Sequence, residues 1–268
     1  MDRRFSLLLV AVFLIGGALV LWLSPQSQTS LMPAATTSSQ PAPPPVAATA
    51  DQGTFGLYTL AVSWQPAFCE TEPGKPECRS LTAERYDADH FALHGLWPPD
   101  NYCGVDQNLI DADTYDPRIT LPEVPLSAAT RAALERAMPG TQSLLERHEW
   151  LMHGTCSGVP ANAYYARAIA LLDDLNASPV KTLFARSIGQ RLSAEAIRAA
   201  FDAGFGKGAG RRVRIDCADD GSRTLIVELR IRLYGDVMGP ADLRTLINRA
   251  NAGNGGCSGG EIDVPGNQ

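Results

Sequence analysis

The chain has no surplus of positive charge. Its 268 residues carry 23 Lys and Arg against 29 Asp and Glu, a formal net of −6. Setting aside residues 1–50, which hold Asp2, Arg3 and Arg4, leaves 28 acidic against 21 basic side chains, a net of −7. Sequence-independent grip on nucleic acid depends on a basic surface that displaces counterions, so no stable complex of that kind is expected, although a local binding site is still allowed. Cys-x-x-Cys pairs are absent, which argues against a structural zinc site. No internal repeat is visible, and helical and extended patterns do not alternate regularly along the chain. That argues against a doubly wound parallel sheet. Histidine is scarce, with four residues at 90, 94, 148 and 153.

The N-terminus is where the chain is richest in apolar residues. Arg3 and Arg4 precede an uncharged run of 19 residues over 5–23. A cleavable signal has an apolar region of about 7–15 residues, whereas a spanning helix needs about 20. The length therefore favours an uncleaved anchor in the inner membrane with the arginines on the cytoplasmic side; cleavage near Ala34 or Ala35 is the alternative. Residues 1–23 are accordingly anchor or signal peptide. Residues 24–51, rich in Ser, Thr, Gln, Ala and Pro, read as a disordered tether. Residues 52–268 form a single domain, which either reading places outside the cytoplasm, in the periplasm or at the surface. All six cysteines (Cys69, Cys78, Cys103, Cys156, Cys217, Cys257) lie in that part. An even number in an oxidising compartment implies disulfides, though the count alone leaves 15 pairings open.

Residues 55–64 are β-branched and aromatic enough for a strand. Residues 223–234 alternate, with Leu225, Val227, Leu229, Ile231 and Leu233 on one face and Thr224, Glu228, Arg230 and Arg232 on the other with Ile226. Residues 211–216 are the expected antiparallel partner through a turn at Asp219-Asp220-Gly221. Helices are predicted over 127–138, with Ser127 as N-cap and Pro139-Gly140 as the stop, and over 141–153, 162–175 and 193–205. The class is α+β: a central antiparallel sheet flanked by helices.

Two segments hold three of the four histidines, Phe91-Ala-Leu-His-Gly-Leu-Trp-Pro98 and His148-Glu-Trp-Leu-Met-His-Gly-Thr-Cys156. Imidazole is the side chain whose ordinary pKa suits it to give and take protons near neutrality. On a helix, positions four apart are offset by about 40°, so Glu149 and His153 share a face, and Glu149 is placed to orient or charge-balance His153. His148-Glu149 also opens like the His-Glu-x-x-His of zinc proteases. Here the second histidine is five residues on, about 140° round, so the two cannot share one zinc, and no metal is expected. A strand reading leaves His94 near the tip of its strand, with His90 assigned a structural role.

Both segments match family signatures, and the chain resembles the ribonuclease T2 family of secreted acid ribonucleases, which has bacterial periplasmic members. The first contains the His-Gly-Leu-Trp-Pro core, and the second follows the pattern His-Glu-Trp-x-Lys-His-Gly-Thr-Cys. Weaker similarity covers Ser63-Trp-Gln-Pro-Ala-Phe-Cys69 and Glu261-Ile-Asp-Val-Pro265, so the likeness spans roughly residues 54–265. The resemblance implies a metal- and cofactor-free, monomeric endoribonuclease acting on single-stranded RNA through a 2′,3′-cyclic phosphate to 3′-phosphate products. DNA, lacking the 2′-hydroxyl, is not expected to be cut. By position, the resemblance makes His153 the base, His94 the acid, Glu149 the support of the transition state and of His153, and His148 a phosphate contact. Trp97 matches a base-stacking position, with a core role as the alternative. The family pattern also implies Cys103–Cys156 and Cys217–Cys257, with Cys69–Cys78 as the remaining pair. Trp64, Phe68 and Trp150 are assigned to the core, and Asn176-Ala-Ser178 is formally a glycosylation acceptor.

Two departures stand out. Pro99 precedes Asp100, where many relatives place Asp directly after the first signature, so low base specificity is expected. The family's lysine, which stabilises charge on phosphorus, is Met152 here. Three readings follow: a nearby Arg or Lys substitutes (Arg147 lies about 140° away and is poorly placed); the enzyme is slower, with protonated His148 supplying charge; or the chain is a weakly active or inactive RNA-binding relative. Met152→Lys is expected to raise turnover on a homopolymeric RNA; a rate left unchanged or lowered means that a substitute cation already occupies the role.

Overall fold

The computed structural model describes residues 55–115, 121–253 and 255–266. The apolar run over 5–23 and the tether over 24–51 lie outside the described residues; among the described residues no helix is long and apolar enough to cross a membrane. In chain order the elements are β1 (Phe55–Trp64), α1 (Gln65–Thr71), α2 (Pro76–Arg79), β2 (Phe91–Trp97), α3 (Gln107–Tyr115), α4 (Ala128–Ala137), α5 (Leu145–Met152), α6 (Ala161–Asn176), α7 (Pro179–Arg186), β3 (Gln190–Ser193), α8 (Ala194–Phe205), β4 (Val213–Asp219), β5 (Thr224–Asp236), α9 (Leu243–Arg249), β6 (Gly255–Gly256) and β7 (Gly259–Ile262).

The sheet runs β2-β1-β5-β4-β6 and is antiparallel from β2 through β4. The expected hairpin is β4–β5. The similarity at Glu261–Pro265 is to the family's closing strand, and β7 overlaps it; its pairing, parallel with β5 and antiparallel with β3, and the parallel β6 beside β4 were not foreseen. The predicted face assignment of β5 fails at one point. Asp216 pairs with Glu228 but Cys217 pairs with Ile226, leaving Val227 as an extra residue. Ile226 is fully buried while Val227 is half-buried, the reverse of strict alternation. A bulge of this kind re-aims the side chains beside it, and Glu228 ends up buried next to β1.

Helices cover the sheet with apolar stripes at helical spacing. In α6 the buried residues are Ala161, Tyr164, Tyr165, Ala168, Leu171, Leu172 and Leu175, the i, i+3, i+4, i+7 pattern of a core-facing stripe. The Tyr164 hydroxyl donates to the Leu96 carbonyl at 2.8 Å, fixing α6 to β2. The last residue of α6, Asn176, accepts from the Phe91 amide at 2.9 Å and donates to the Phe91 carbonyl at 3.0 Å. Its side-chain amide is therefore spent on the outer edge of β2. Helix α8 repeats the logic with Ile197, Phe201 and Phe205 buried and Ser193 accepting from the Ala196 amide as N-cap. Ser127 caps α4 in the same way through Thr130. Trp64 is fully buried against Phe91 and Phe184, its indole donating to the Asp263 carbonyl at 3.0 Å.

The helix expected over 141–153 begins late and ends early. Pro139–Ser143 form a 3-10 turn, Leu144 is left-handed at φ 64°, and α5 starts at Leu145. Gly140 permits this reversal, because a Cβ there would lie 2.7 Å from the Leu145 side chain. All three disulfides form: Cys69–Cys78, Cys103–Cys156 and Cys217–Cys257.

Candidate active site

His94 owes its position to an irregularity in the β1–β2 pairing. Ala61 pairs with Gly95 and Val62 with Leu93, so His94 is the unpaired residue of a bulge. Bulges next to active sites turn a side chain out of the ladder, and here the ring meets two carboxylates. Nδ1 makes a short hydrogen bond with Glu228 on β5, and Nε2 lies 3.6 Å from Glu149 Oε1 on α5.

Glu149 is 1% exposed and accepts from the Trp97 indole N–H at 2.8 Å. Gly95 makes this approach possible. A Cβ there would lie 1.9 Å from Glu149 Oε2 and 2.2 Å from Trp97 Nε1. The glycine of the second segment has the same function, since a Cβ on Gly154 would strike the Trp150 ring at 2.3 Å.

His153 does not sit inside α5 but caps its C-terminus, its amide donating to the Glu149 carbonyl at 3.1 Å. The side-chain partnership expected between Glu149 and His153 is not what the contacts show: the Glu149 carboxylate is held by Trp97 and faces His94. The reason is the helix end, where His153 leaves helical geometry at φ −116°. Its ring centroid lies 5.4 Å from that of Trp97 and 6.5 Å from that of His148, and its buried Nδ1 has no hydrogen-bond partner among the described residues. The Trp97 ring thus has His153 near it and His94 at 5.1 Å, edge to face. Trp97 is half-buried.

The two central histidines are biased in opposite directions. Burial works against charge on His94, but the hydrogen bond with Glu228 and the fields of Glu149 and Glu228 outweigh it, Arg230 opposing, and its pKa is raised above 6.5. Burial, then the fields of His148 and His94, push His153 down to about 4. Burial raises Glu149 against the pull of His94 and Trp97. Glu228 is held low: burial alone would raise it, but His94 and Arg230 prevail.

Three residues around the site escaped the sequence reading. Glu228 is 134 positions from His94, and its place on the polar face of an alternating strand was its only signal. Asp113 holds His148 Nδ1 through both carboxylate oxygens at 2.9 Å and accepts from the Tyr102 hydroxyl at 2.8 Å. Arg230 lies with its guanidinium carbon 5.2 Å from the Trp97 ring centroid. Other assignments fall where expected. His90 stacks on Tyr86 at 4.1 Å and bonds Asp89, a structural role. Arg147 points away, donating to the Leu121 carbonyl at 2.6 Å. Met152 is half-buried at the end of α5. Phe68 packs on the Cys69–Cys78 cluster and Trp150 against Tyr164. Beside His94 a cavity of about 320 Å³ opens, lined by Phe68, Leu93, Leu145, Val227 and Glu228 among others.

Residues 55–245 match the profile described as the Ribonuclease T2 family. Ribonuclease I of Escherichia coli (strain K12) is 30% identical over 230 residues, spanning 76% of this chain and 85% of that protein. Intracellular ribonuclease LX of Solanum lycopersicum is 28% identical over 180 residues, 62% of this chain and 67% of that protein. Among solved structures, a mutant of RNase MC1 in complex with 5′-UMP superposes with a TM-score of 0.52 at 18% identity, covering 76% of this chain and 97% of that one, a likeness of fold.

Proposed function

The chain belongs to the ribonuclease T2 family, and from that premise we propose that it is an endoribonuclease that cleaves single-stranded RNA by internal transesterification, with His153 as base and His94 as acid. The observation that carries the reading is the opposed bias of two histidines packed against one indole. Environments that push two titratable groups apart mark the acid and the base of a pair. A ring held near 4 is neutral at neutral pH and free to take a proton. A ring anchored to Glu228 keeps its proton to give away, from Nε2, the nitrogen not spent on Glu228.

The step balances without a co-reactant. The 2′-oxygen bonds to phosphorus as His153 takes its proton; the bond from phosphorus to the 5′-oxygen breaks as His94 protonates that oxygen. The cyclic phosphate then opens with water to a 3′-phosphate, the histidines exchanging roles. Glu149, beside His94 and fixed by Trp97, supports the charge on the acid, and His148, oriented by Asp113, reaches the phosphate. The cavity beside His94, where Phe68, Leu93 and Leu145 stand with polar residues such as Gln65, Lys75 and Glu77, takes a nucleobase, low base specificity is kept from the first signature, and DNA is refused for want of a nucleophile. Export through the segment over 5–23 and action as a monomer complete the reading.

The test is product analysis. Purified protein incubated with RNA and excess chelator is expected to release fragments ending in 2′,3′-cyclic phosphate, then 3′-phosphate. Cleavage that stops with chelator, or that leaves 5′-phosphates, overturns the proposal. Absence of cleavage from mildly acidic to neutral pH would leave the RNA-binding reading in its place.

A further inference from the structure

The reaction adds negative charge to a site that already holds two carboxylates. When the 2′-oxygen bonds to phosphorus, the phosphodiester passes from one negative charge to two. His153 gains only the proton it takes from the 2′-hydroxyl, and His94 gives its proton to the leaving group, so the pair supplies no cation fixed at the non-bridging oxygens. Met152, half-buried at the end of α5, supplies none.

Arg230 is placed to do so. It stands two residues beyond Glu228 on β5, and its Nε is 2.6 Å from Glu228 Oε1 and 3.1 Å from Asp216 Oδ2. Glu228 thereby bridges Arg230 and His94 with its two oxygens. The guanidinium lies over the Trp97 ring, whose other neighbours are His94 and His153. The hydrogen bond to Glu228 uses Nε, and among the described residues neither terminal nitrogen of Arg230 donates a hydrogen bond. The side chain is 45% exposed, so these nitrogens are open to a ligand. A guanidinium with its inner nitrogen anchored and its outer pair free offers a fixed fork to two phosphate oxygens.

We propose that Arg230 is the catalytic cation of this site, its terminal nitrogens binding the non-bridging oxygens of the scissile phosphate and stabilising their extra charge in place of the lysine missing at Met152. The assignment rests on the cleavage reaction proposed above. It also ties charge stabilisation to acid catalysis, because one carboxylate, Glu228, positions both the arginine and His94. This position is legible only once the strands are paired: Arg230 lies 74 positions beyond Cys156, the end of the second signature.

The experiment is steady-state cleavage of a dinucleotide by the parent, Arg230→Gln, Arg230→Lys, Met152→Lys and Arg230→Gln/Met152→Lys, with thermal midpoints as the check on folding. Arg230→Gln is expected to lower kcat by about 10²–10³-fold, the usual loss for one preorganised donor, with KM changed far less. Arg230→Lys should retain much of the rate. Met152→Lys should restore at least tenfold in the Arg230→Gln background and do little in the parent. A kcat for Arg230→Gln within threefold of the parent overturns the proposal. So does an Arg230→Lys as slow as the glutamine variant, or a Met152→Lys that speeds parent and variant equally. A role confined to holding Glu228 would move the alkaline limb of the pH profile without rescue by Met152→Lys, which also overturns it. A parent that cleaves no RNA removes the cleavage reading itself, an outcome distinct from an active parent indifferent to Arg230.

Discussion

His153→Ala and His94→Ala are each expected to lower kcat/KM on RNA by about 10²–10⁴-fold, the range for one positioned proton-transfer group. Because the two act in one step, the double variant should lose less than the product of the single losses. The pH profile distinguishes their roles. The base must be neutral, so kcat/KM falls as pH drops through the value of His153, about 4. The acid must be protonated, so it falls as pH rises through the value of His94, which lies above 6.5. A broad plateau from mildly acidic to neutral pH results, reported in kcat/KM because that quantity reads the free enzyme. Glu228→Gln removes the contact that raises His94 and should draw the alkaline limb to lower pH while leaving the acid limb in place. A profile in which Glu228→Gln moves the acid limb instead would reverse the assignment of acid and base. The same linkage acts on stability. The raised value of His94 makes the Glu228 contact fully stabilising below 6.5, and that contribution is lost as pH rises through the folded-state value.

Cys103→Ser/Cys156→Ser is expected to destabilise the protein by about 4 kcal/mol, from the loop entropy returned to the unfolded chain. The pair closes a separation of 53 residues. Cys69→Ser/Cys78→Ser, which opens a separation of 9, should cost roughly 2–3 kcal/mol. Urea unfolding of both variants measures the difference, and equal losses would refute the loop-length argument. The longer bridge has a local consequence too. Next to it, the Tyr102 amide donates to the Met152 carbonyl at 2.8 Å, and Tyr102 and His148 share the Asp113 carboxylate. Without the bridge the loop before α3 loses its covalent tie to Cys156 and keeps these hydrogen bonds, so the folded variant should also bind phosphate less well.

What could be read from the sequence was what depends on short spacing. The two histidine segments, the strand over 55–64, the β4–β5 hairpin, the serine cap at 127 and the helices over 162–175 and 193–205 each follow from residues within a few positions of one another. The partners of the histidines do not. Glu228 and Arg230 reach the site through the β1–β5 pairing, and Asp113 through α3, whose preceding loop Cys103–Cys156 ties to the turn after α5. The two bulges are equally opaque, because an extra residue at His94 or Val227 is set by register across strands and leaves no local mark. The early end of α5 misled the reading differently: Glu149 and His153 have helical spacing, but the helix stops between them and the carboxylate turns to His94.

Asn176 bears on a different problem. The strand that carries His94 is the outermost of the sheet, and an outer strand presents unpaired amides and carbonyls on which another extended chain can template itself. At Phe91 both groups are taken by one side-chain amide, which imitates the strand that is not there. The sequon at 176–178 is therefore better understood as a seal. A sugar attached to that nitrogen would leave it a single N–H and bring bulk to the outer edge of the strand that carries His94.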